Sequence, residues 1–267
     1  MLKKYNLLIV LFGGILFAQT NDLQKNKINN NPKTIEESNT KAVIKTNIVE
    51  DYLQEYYTKT YYNQNGYITT REFYNESGDL TFTDNYTYNN NQLVKIESVN
   101  PDETFTVIKD YEYFDGGYKE ILSENNIIIK ETTFAINNNQ IISETENNIL
   151  TNQITERLNE YQNNNIVKTT VKFGKDGYII QYKYDKDNLA IEETIYDLKN
   201  NLVSKKRRKY DENRNITEEN LFDNNGKLKT NNRIIYQYDE NKNWVKRTQY
   251  ANTIEEPISN AIRTIRY

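Results

Sequence analysis

Residues 167–173 read VKTTVKF, with Val167, Thr169, Val171 and Phe173 alternating against Lys168, Thr170 and Lys172. A period of two puts the first set on one face of a strand and the second on the other. Such stretches are separated by a recurring phrase: an aromatic, often Asp or Asn, two free positions, usually Gly or Asn, one free position, then a large apolar residue. The units begin Tyr62-Gly66-Ile68, Tyr74-Gly78-Leu80, Tyr161-Asn165-Val167 and Phe173-Gly177-Ile179. They continue Tyr196-Asn200-Leu202, Tyr210-Arg214-Ile216, Phe222-Gly226-Leu228 and Tyr238-Lys242-Trp244.

Asp or Asn at the head of a type I turn accepts local backbone hydrogen bonds, and Gly or Asn three residues on tolerates the left-handed conformation that closes a bulged three-residue loop. The phrase is therefore a hairpin in which the aromatic opposes the apolar residue. Arg214 and Lys242 break the Gly/Asn preference, so mild strain is expected there. Separations from the apolar residue of one turn to the aromatic of the next are mostly even, as from Ile68 to Tyr74 or Leu202 to Tyr210, which places the bulky residues on one face. Ile179 to Tyr184 is an odd step and predicts a bulge or register change. Between 89 and 160 the turns are less regular, with NNNQ at 89–92 and 137–140, but the segment still reads as β. No segment has the caps and 3.6-residue period of an amphipathic helix. The predicted fold is all-β: an elongated antiparallel meander of hairpin repeats in a single twisted or curled sheet.

A mean hydropathy of -0.90 and 36% hydrophobic residues favour a thin structure over a thick two-layer core. Tyr, with 23 copies, is the abundant core former. The net charge of -4, from 34 basic and 38 acidic residues interleaved along the chain, creates no field that selects nucleic acid, and none is expected as a partner. The chain has no Cys and no His, which removes disulfides, thiol nucleophiles, a lipid-modified Cys and the commonest base and metal ligand. No cofactor, metal site or catalytic residue is expected, and the chain reads as a non-enzyme.

At the N-terminus Lys3 and Lys4 precede an apolar run over 7–17, and Ala18 precedes Gln19. This predicts a signal peptide over 1–18, with export to the periplasm or the exterior. No later stretch is apolar enough to span a bilayer as a helix. Residues 19–45 are polar and aperiodic and read as a flexible leader, leaving 46–267 as the repeat domain.

YDENRNI, FDNNGKL and the C-terminal YQYDENKNWVKRTQY resemble the YD repeats of RHS-type bacterial surface and toxin proteins; similarity to MORN-like antitoxin-type repeats is weaker. The resemblance covers about half the chain, mainly after Tyr161. In the RHS family such repeats build β-sheet shells around a toxin that a Pro- and Gly-containing core motif releases. This chain lacks that motif, has three prolines and reads as too short to close a shell. The resemblance implies strand-turn-strand architecture and an extracytoplasmic setting, not toxin delivery.

Two clusters are candidate sites. Lys205, Lys206, Arg207, Arg208 and Lys209 form the sharpest basic run, either a polyanion patch or the middle strand of a charge ladder. In the ladder Glu193 faces Lys205, Glu192 faces Lys206, Arg208 faces Glu218 and Arg207 faces Glu219. Tyr196, Tyr210, Phe222, Tyr238 and Trp244 form an aromatic row, either core or a surface for sugar rings. Asp-rich turns such as DENRN read as solvated turns and not calcium loops. NES at Asn75, NYT at Asn85 and NIT at Asn215 match a glycosylation pattern that bears only on a eukaryotic secretory route. The expected function is a non-catalytic binding or structural module of the bacterial envelope, with a protein or an envelope glycan as partner. The competing readings are an immunity or antitoxin-like partner of a toxin, and a polysaccharide-acting enzyme using two carboxylates.

Overall fold

The computed structural model describes residues 22–45, 48–251 and 254–267, with backbone only at 45 and 48. The expected signal peptide, 1–18, and residues 19–21 of the expected leader lie outside the described residues. A one-turn helix, α1 (Asp22–Lys25), precedes β1 (Thr34–Lys45), β2 (Ile48–Tyr62), β3 (Ile68–Tyr74), β4 (Leu80–Asn89), β5 (Gln92–Val99) and β6 (Thr106–Phe114). Next come β7 (Gly117–Glu124), β8 (Ile127–Asn137), β9 (Gln140–Asn148), β10 (Gln153–Gln162), β11 (Asn165–Phe173) and β12 (Asp176–Tyr184). The chain ends with β13 (Ala190–Asp197), β14 (Leu202–Tyr210), β15 (Ile216–Phe222), β16 (Leu228–Tyr238), β17 (Trp244–Ala251) and β18 (Ser259–Arg266).

Where the phrase is complete, the turn is the expected one. The Asp197 N–H donates to the Asn201 carbonyl, the Asn200 N–H donates to the Asp197 carbonyl, and Asn200 sits at φ 66°. Asp197 Oδ1 accepts from the N–H groups of Lys199 and Asn201, both at 2.8 Å. Asn63, Asn75, Asp185, Asp223 and Asp239 repeat this double acceptance. Arg214 and Lys242 occupy the left-handed position at φ 65° and 62°, where a β-carbon is crowded and Asn is tolerated far better. Lys242→Asn is therefore expected to raise stability by a few tenths to about 1 kcal/mol. The denaturation midpoint reads it, and an unchanged midpoint would remove the argument from strain.

Two expected units turn elsewhere. The Tyr161 hairpin closes on Asn163 and Asn164, at φ 51° and 65°, and Phe173 opposes Asp176 across Gly174, at φ 64°, and Lys175. Asn pairs with both φ positive also close the hairpins at 90–91, 125–126 and 138–139, the two-residue turns that suit strand twist. The Asn-rich stretches that look irregular in the sequence are these turns, and residues 89–160 continue the same sheet.

Every strand pairs antiparallel with the next, and β18 pairs back onto β1 from Thr34↔Arg266 to Lys41↔Ser259. The sheet is a closed 18-stranded barrel, which corrects the expected elongated, open sheet. Two causes are visible. Each complete phrase inserts an extra residue into one strand, and such bulges increase twist and bend the sheet toward closure. Residues 34–45, expected as part of a flexible leader, form β1, the strand that joins the two ends. Their polarity hid them because both faces of this barrel carry polar side chains.

The bulge also overturns the single aromatic face. Directly opposed residues share a face, so the register assigns inside and outside around the ring. Val203 is the extra residue after the Tyr196↔Leu202 pair, and Thr217 after Tyr210↔Ile216. Each extra residue reverses the side reached at the next turn. Aromatic pairs at one rim point outward: Tyr74–Leu80, Tyr196–Leu202 and Phe222–Leu228. Those at the other rim point into the lumen: Tyr62–Ile68, Tyr210–Ile216 and Tyr238–Trp244. The odd step from Ile179 to Tyr184 places these residues on opposite faces of β12; the register shift beside Tyr184 comes from an extra residue, Ile191, in β13.

The apolar core lies inside the lumen in two pieces near the second rim. Leu23, Ile28 and Ile35 pack with Tyr62 and Ile265, and Tyr111, Tyr118 and Phe134 pack with Leu93, Ile96, Tyr113, Ile136 and Ile141. Extensive contact between strands is confined to ring neighbours.

Candidate functional site: the tyrosine-lined mouth and charged walls

Even-numbered strands end at the second rim, and all but β8 bring a tyrosine there: Tyr62, Tyr88, Tyr113, Tyr161, Tyr184, Tyr210, Tyr238 and, just past β18, Tyr267. β8 presents Ile136 instead. The hydroxyls tie each hairpin to an earlier one. Tyr113 donates to the Leu93 carbonyl at 2.9 Å, Tyr161 to Ile141 at 2.9 Å, Tyr184 to Ile166 at 2.8 Å and Tyr210 to Ala190 at 2.8 Å. Tyr238 donates to Asp211 Oδ2, and Tyr267 to Asp239 Oδ2 at 2.7 Å. The ring is a girdle of hydrogen bonds across the pleat.

Residues 22–33 lie across part of this mouth. The Leu23 N–H donates to the Gly66 carbonyl at 3.1 Å, and Asp22 Oδ2 accepts from the Ile68 N–H at 2.8 Å and the Tyr88 hydroxyl at 2.7 Å. On the far side of the crossing, the Asn29 N–H donates to Asn243 Oδ1 at 2.8 Å and Asn29 Nδ2 to the Asn241 carbonyl at 2.8 Å. Leu23 and Pro32 are fully buried. The segment narrows the tyrosine mouth from the β16–β17 turn to β4.

Below the girdle the lumen carries paired charges. Lys109–Glu120 (3.2 Å), Lys130–Glu146 (3.3 Å), Arg157–Glu144 and Arg263–Glu37 (2.7 Å) each bridge neighbouring strands. Burial alone would raise the Glu37 carboxyl, but the charge and hydrogen bond of Arg263 outweigh it and hold Glu37 below its ordinary value. Burial wins at Asp84 and Glu144, whose carboxyls are pushed up. Tyr62 and Tyr86 are pushed up to about 12 by burial.

The five residues of the basic run divide between the faces. Lys206 and Arg208 point into the lumen, where Arg208 bridges Glu193 (3.3 Å) and Glu219 (2.9 Å). Lys205, Arg207 and Lys209 point outward; Lys209 meets Glu218 at 2.7 Å. The ladder between two acidic strands is present, but each expected partner is displaced by one residue, because the bulges at Val203 and Thr217 were not counted. Glu193 opposes Lys206, Glu192 opposes Arg207, Arg208 opposes Glu219 and Lys209 opposes Glu218. The five cations therefore do not form one contiguous patch.

The aromatic set divides in the same way. Tyr210, Tyr238 and Trp244 line the lumen, whereas Tyr196 and Phe222 lie outside, Phe222 beneath the Arg207 guanidinium at 5.5 Å. Trp244 is stacked under the Arg263 guanidinium at 3.4 Å, with Arg247 at 5.5 Å and Tyr236 edge-on at 6.3 Å. Sequence spacing missed Tyr113 and Tyr267 as members of the girdle; the available signal was one tyrosine per hairpin.

The outer wall is a lattice of ion pairs. Glu192, 7% exposed, is reached by Lys183 at 2.8 Å, Arg207 at 2.9 Å and Lys205 at 3.8 Å. The Lys183 hydrogen bond, then that of Arg207, bring its carboxyl from 4.5 down to about 2 against the opposing effect of burial. A depressed carboxylate contributes stability that is complete above its unfolded value and is lost as pH falls through the folded value. Stability should decline between about pH 4.5 and 2, and Glu192→Gln should flatten that decline while costing about 1–3 kcal/mol at neutral pH. Acid titration of the denaturation midpoint checks both. A shallow groove of about 380 Å³ beside Glu192, lined also by Glu160, Lys168, Gln181 and Thr194, is floored by these same paired groups.

No protein-family model matches the chain, and no curated protein does. Among solved structures, 39 chains match. A porin-like protein from Bacteroides uniformis aligns over 89% of this chain and 98% of its own at 11% identity, with a TM-score of 0.49. One from Bacteroides vulgatus aligns over 87% and 97% at 9% identity, with a TM-score of 0.41. A chain of the TcdB2–TccC3–Cdc42 complex aligns over 82% of this chain and 15% of its own at 13% identity, with a TM-score of 0.35. The barrel described above stands on this chain's own strand pairing.

Proposed function

We propose that the chain is an exported, non-catalytic β-barrel of the bacterial envelope that works in water as a binding or structural module, with the lumen as the place where a polar ligand such as an envelope glycan is held. The observation that carries this reading is the charge on the outer wall. A barrel set in lipid shows an apolar outward band, and each outward Lys or Arg at mid-depth costs about 2–4 kcal/mol. Here Lys59 with Glu36, Lys119 with Glu131, Lys168 with Glu160 and the Lys183–Glu192–Arg207 cluster all face outward. Such a wall is suited to water. The lumen offers tyrosine faces, Trp244 and alternating charges, a lining suited to a sugar chain, whose C–H faces stack on aromatics and whose hydroxyls bond to charged groups.

The test uses the chain from Gln19 onward. It should remain in the aqueous phase with phosphatidylethanolamine–phosphatidylglycerol vesicles and give no conductance in planar bilayers; stable insertion with conductance would overturn the reading. Trp244 is the single tryptophan, so its emission reports on lumenal glycan binding in the same samples.

A further inference from the structure

The ring is closed, yet one strand keeps a long open edge. β2 pairs with β1 as far as Lys45↔Ile48, whereas its pairing with β3 begins only at Tyr57↔Tyr74. Residues 48–56 therefore have a strand on one side only, and with β1 they project past the rim opposite the tyrosine girdle. Natural edges of this kind are blunted by charged side chains, Pro, bulges or a covering element; here Glu50 and Glu55 are the extra residues of two bulges, and the edge's charges are all acidic, which repels acidic strands but not basic ones. The sequence here, IVEDYLQEY, contains neither Lys nor Pro. The Tyr52 N–H is capped by its neighbour's side chain, Asp51 Oδ1, at 2.7 Å, a bond that an added strand would displace.

The side chains specify what this edge would accept. Tyr52, Leu53 and Tyr56 are exposed, Leu53 at 53%. Asp51 and Glu55 lie on the edge strand, and Glu255 and Glu256 are exposed in the adjoining loop, where the Tyr52 hydroxyl reaches the Pro257 carbonyl at 2.7 Å. Glu256 is near enough to help raise the Tyr52 phenol, after burial as the larger cause. The cations of the projecting part, Lys41 at 3.7 Å from Glu55 and Lys45 opposite Ile48, belong to β1 and not to the edge strand. The projecting edge strand is thus acidic and apolar, and it faces no strand on its β3 side.

We infer that residues 48–56 of β2 dock an extended, basic segment of a partner protein by strand addition. Main-chain hydrogen bonds would supply the pairing, apolar side chains on one face of the partner would meet Leu53 and Tyr56, and cations on its other face would lie beside Tyr52 and the 255–256 loop, with Asp51 and Glu55 adding to the acidic field. A second copy of this chain is disfavoured at the same edge, because each copy would bring Glu50, Asp51 and Glu55 to the pairing with no cation on either edge strand segment to offset them. This surface is separate from the lumen and does not depend on what the lumen holds.

The test is hydrogen exchange on the chain from Gln19 onward with a nine-residue probe of alternating Lys and Val, and a control of alternating Glu and Val. The Lys–Val probe should slow exchange at 52–56 without changing the amides of the tyrosine rim, and the Glu–Val peptide should not. Asp51→Lys combined with Glu55→Lys should weaken Lys–Val binding by about tenfold or more with an unchanged thermal midpoint. Tyr52→Thr, which keeps the backbone and both acids, should weaken binding less than the double variant. Equal protection by both peptides, no protection at 52–56, or concentration-dependent self-protection of 52–56 without peptide would each overturn the inference.

Discussion

Tyr118→Ala is expected to cost about 3–5 kcal/mol, as truncation of a fully buried aromatic does, whereas Tyr118→Phe is expected to raise stability. The two substitutions separate the ring from its hydroxyl. The ring is 0% exposed and stacks on Phe134 with centroids 4.4 Å apart and planes 11° from parallel, with Tyr113 at 5.7 Å. It is the centre of the larger apolar cluster, and its loss would leave a cavity against walls fixed by strand pairing. The hydroxyl oxygen is buried and has no hydrogen-bond partner among the described residues. A buried unsatisfied hydroxyl costs about 1–3 kcal/mol, so its deletion should return up to about 1 kcal/mol. Equilibrium denaturation of both variants checks this; a destabilised Tyr118→Phe would mean that the hydroxyl makes a bond.

The second large effect is expected at the junction of β1 and β18. Arg263→Ala removes the 2.7 Å bond to Glu37 and the guanidinium above Trp244. Both side chains of the pair are just over four-fifths covered, at 19% and 18% exposure, so the remaining carboxylate would face a largely desolvated wall. A cost of about 2–4 kcal/mol is expected, with Arg263→Lys restoring only part of it, because a point charge replaces neither the fork nor the planar stack. The pH dependence should change sign. With Arg263 in place Glu37 is depressed, so the pair stabilises above the ordinary carboxylate range and loses that contribution in acid. Without it, burial would raise Glu37, and mild acid would relieve part of the penalty. Denaturation midpoints at pH 4 and 7, read by Trp244 fluorescence, measure both effects.

The turns were legible because their cause is local. Asp197 with Asn200, or Asn63 with Gly66, encodes its own hairpin through short hydrogen bonds and one left-handed residue. The faces were less legible, since counting from Leu202 to Tyr210 as an even step ignores that Val203 is an extra residue in the ladder. The bulges at Val203 and Thr217 place Tyr196 and Phe222 outside and displace each predicted Lys–Glu partner by one position. Closure was hidden for another reason. β1 reads as a polar leader because Glu36, on the outer wall, and Glu37, in the lumen, are both satisfied by cations of other strands, so no apolar period marks it. Leu23, Ile28 and Pro32, which anchor the crossing of the mouth, are isolated in an Asn- and Lys-rich stretch, and only long-range packing distinguishes them.

The pairing of β1 with β18 has a consequence for the order of assembly. The Arg263–Glu37 contact joins residues 226 apart in sequence, whereas every other strand pairs with a neighbour in the chain. Hairpins can form as they emerge, but the seam can zip only when the last strand arrives, after the largest loop-closure entropy in the molecule has been met. Until then the growing sheet has two bare edges, the exposed condition in which β-rich chains associate wrongly. Removing β18 would therefore not trim the barrel by one strand; it would leave an open ribbon arrested one step before completion.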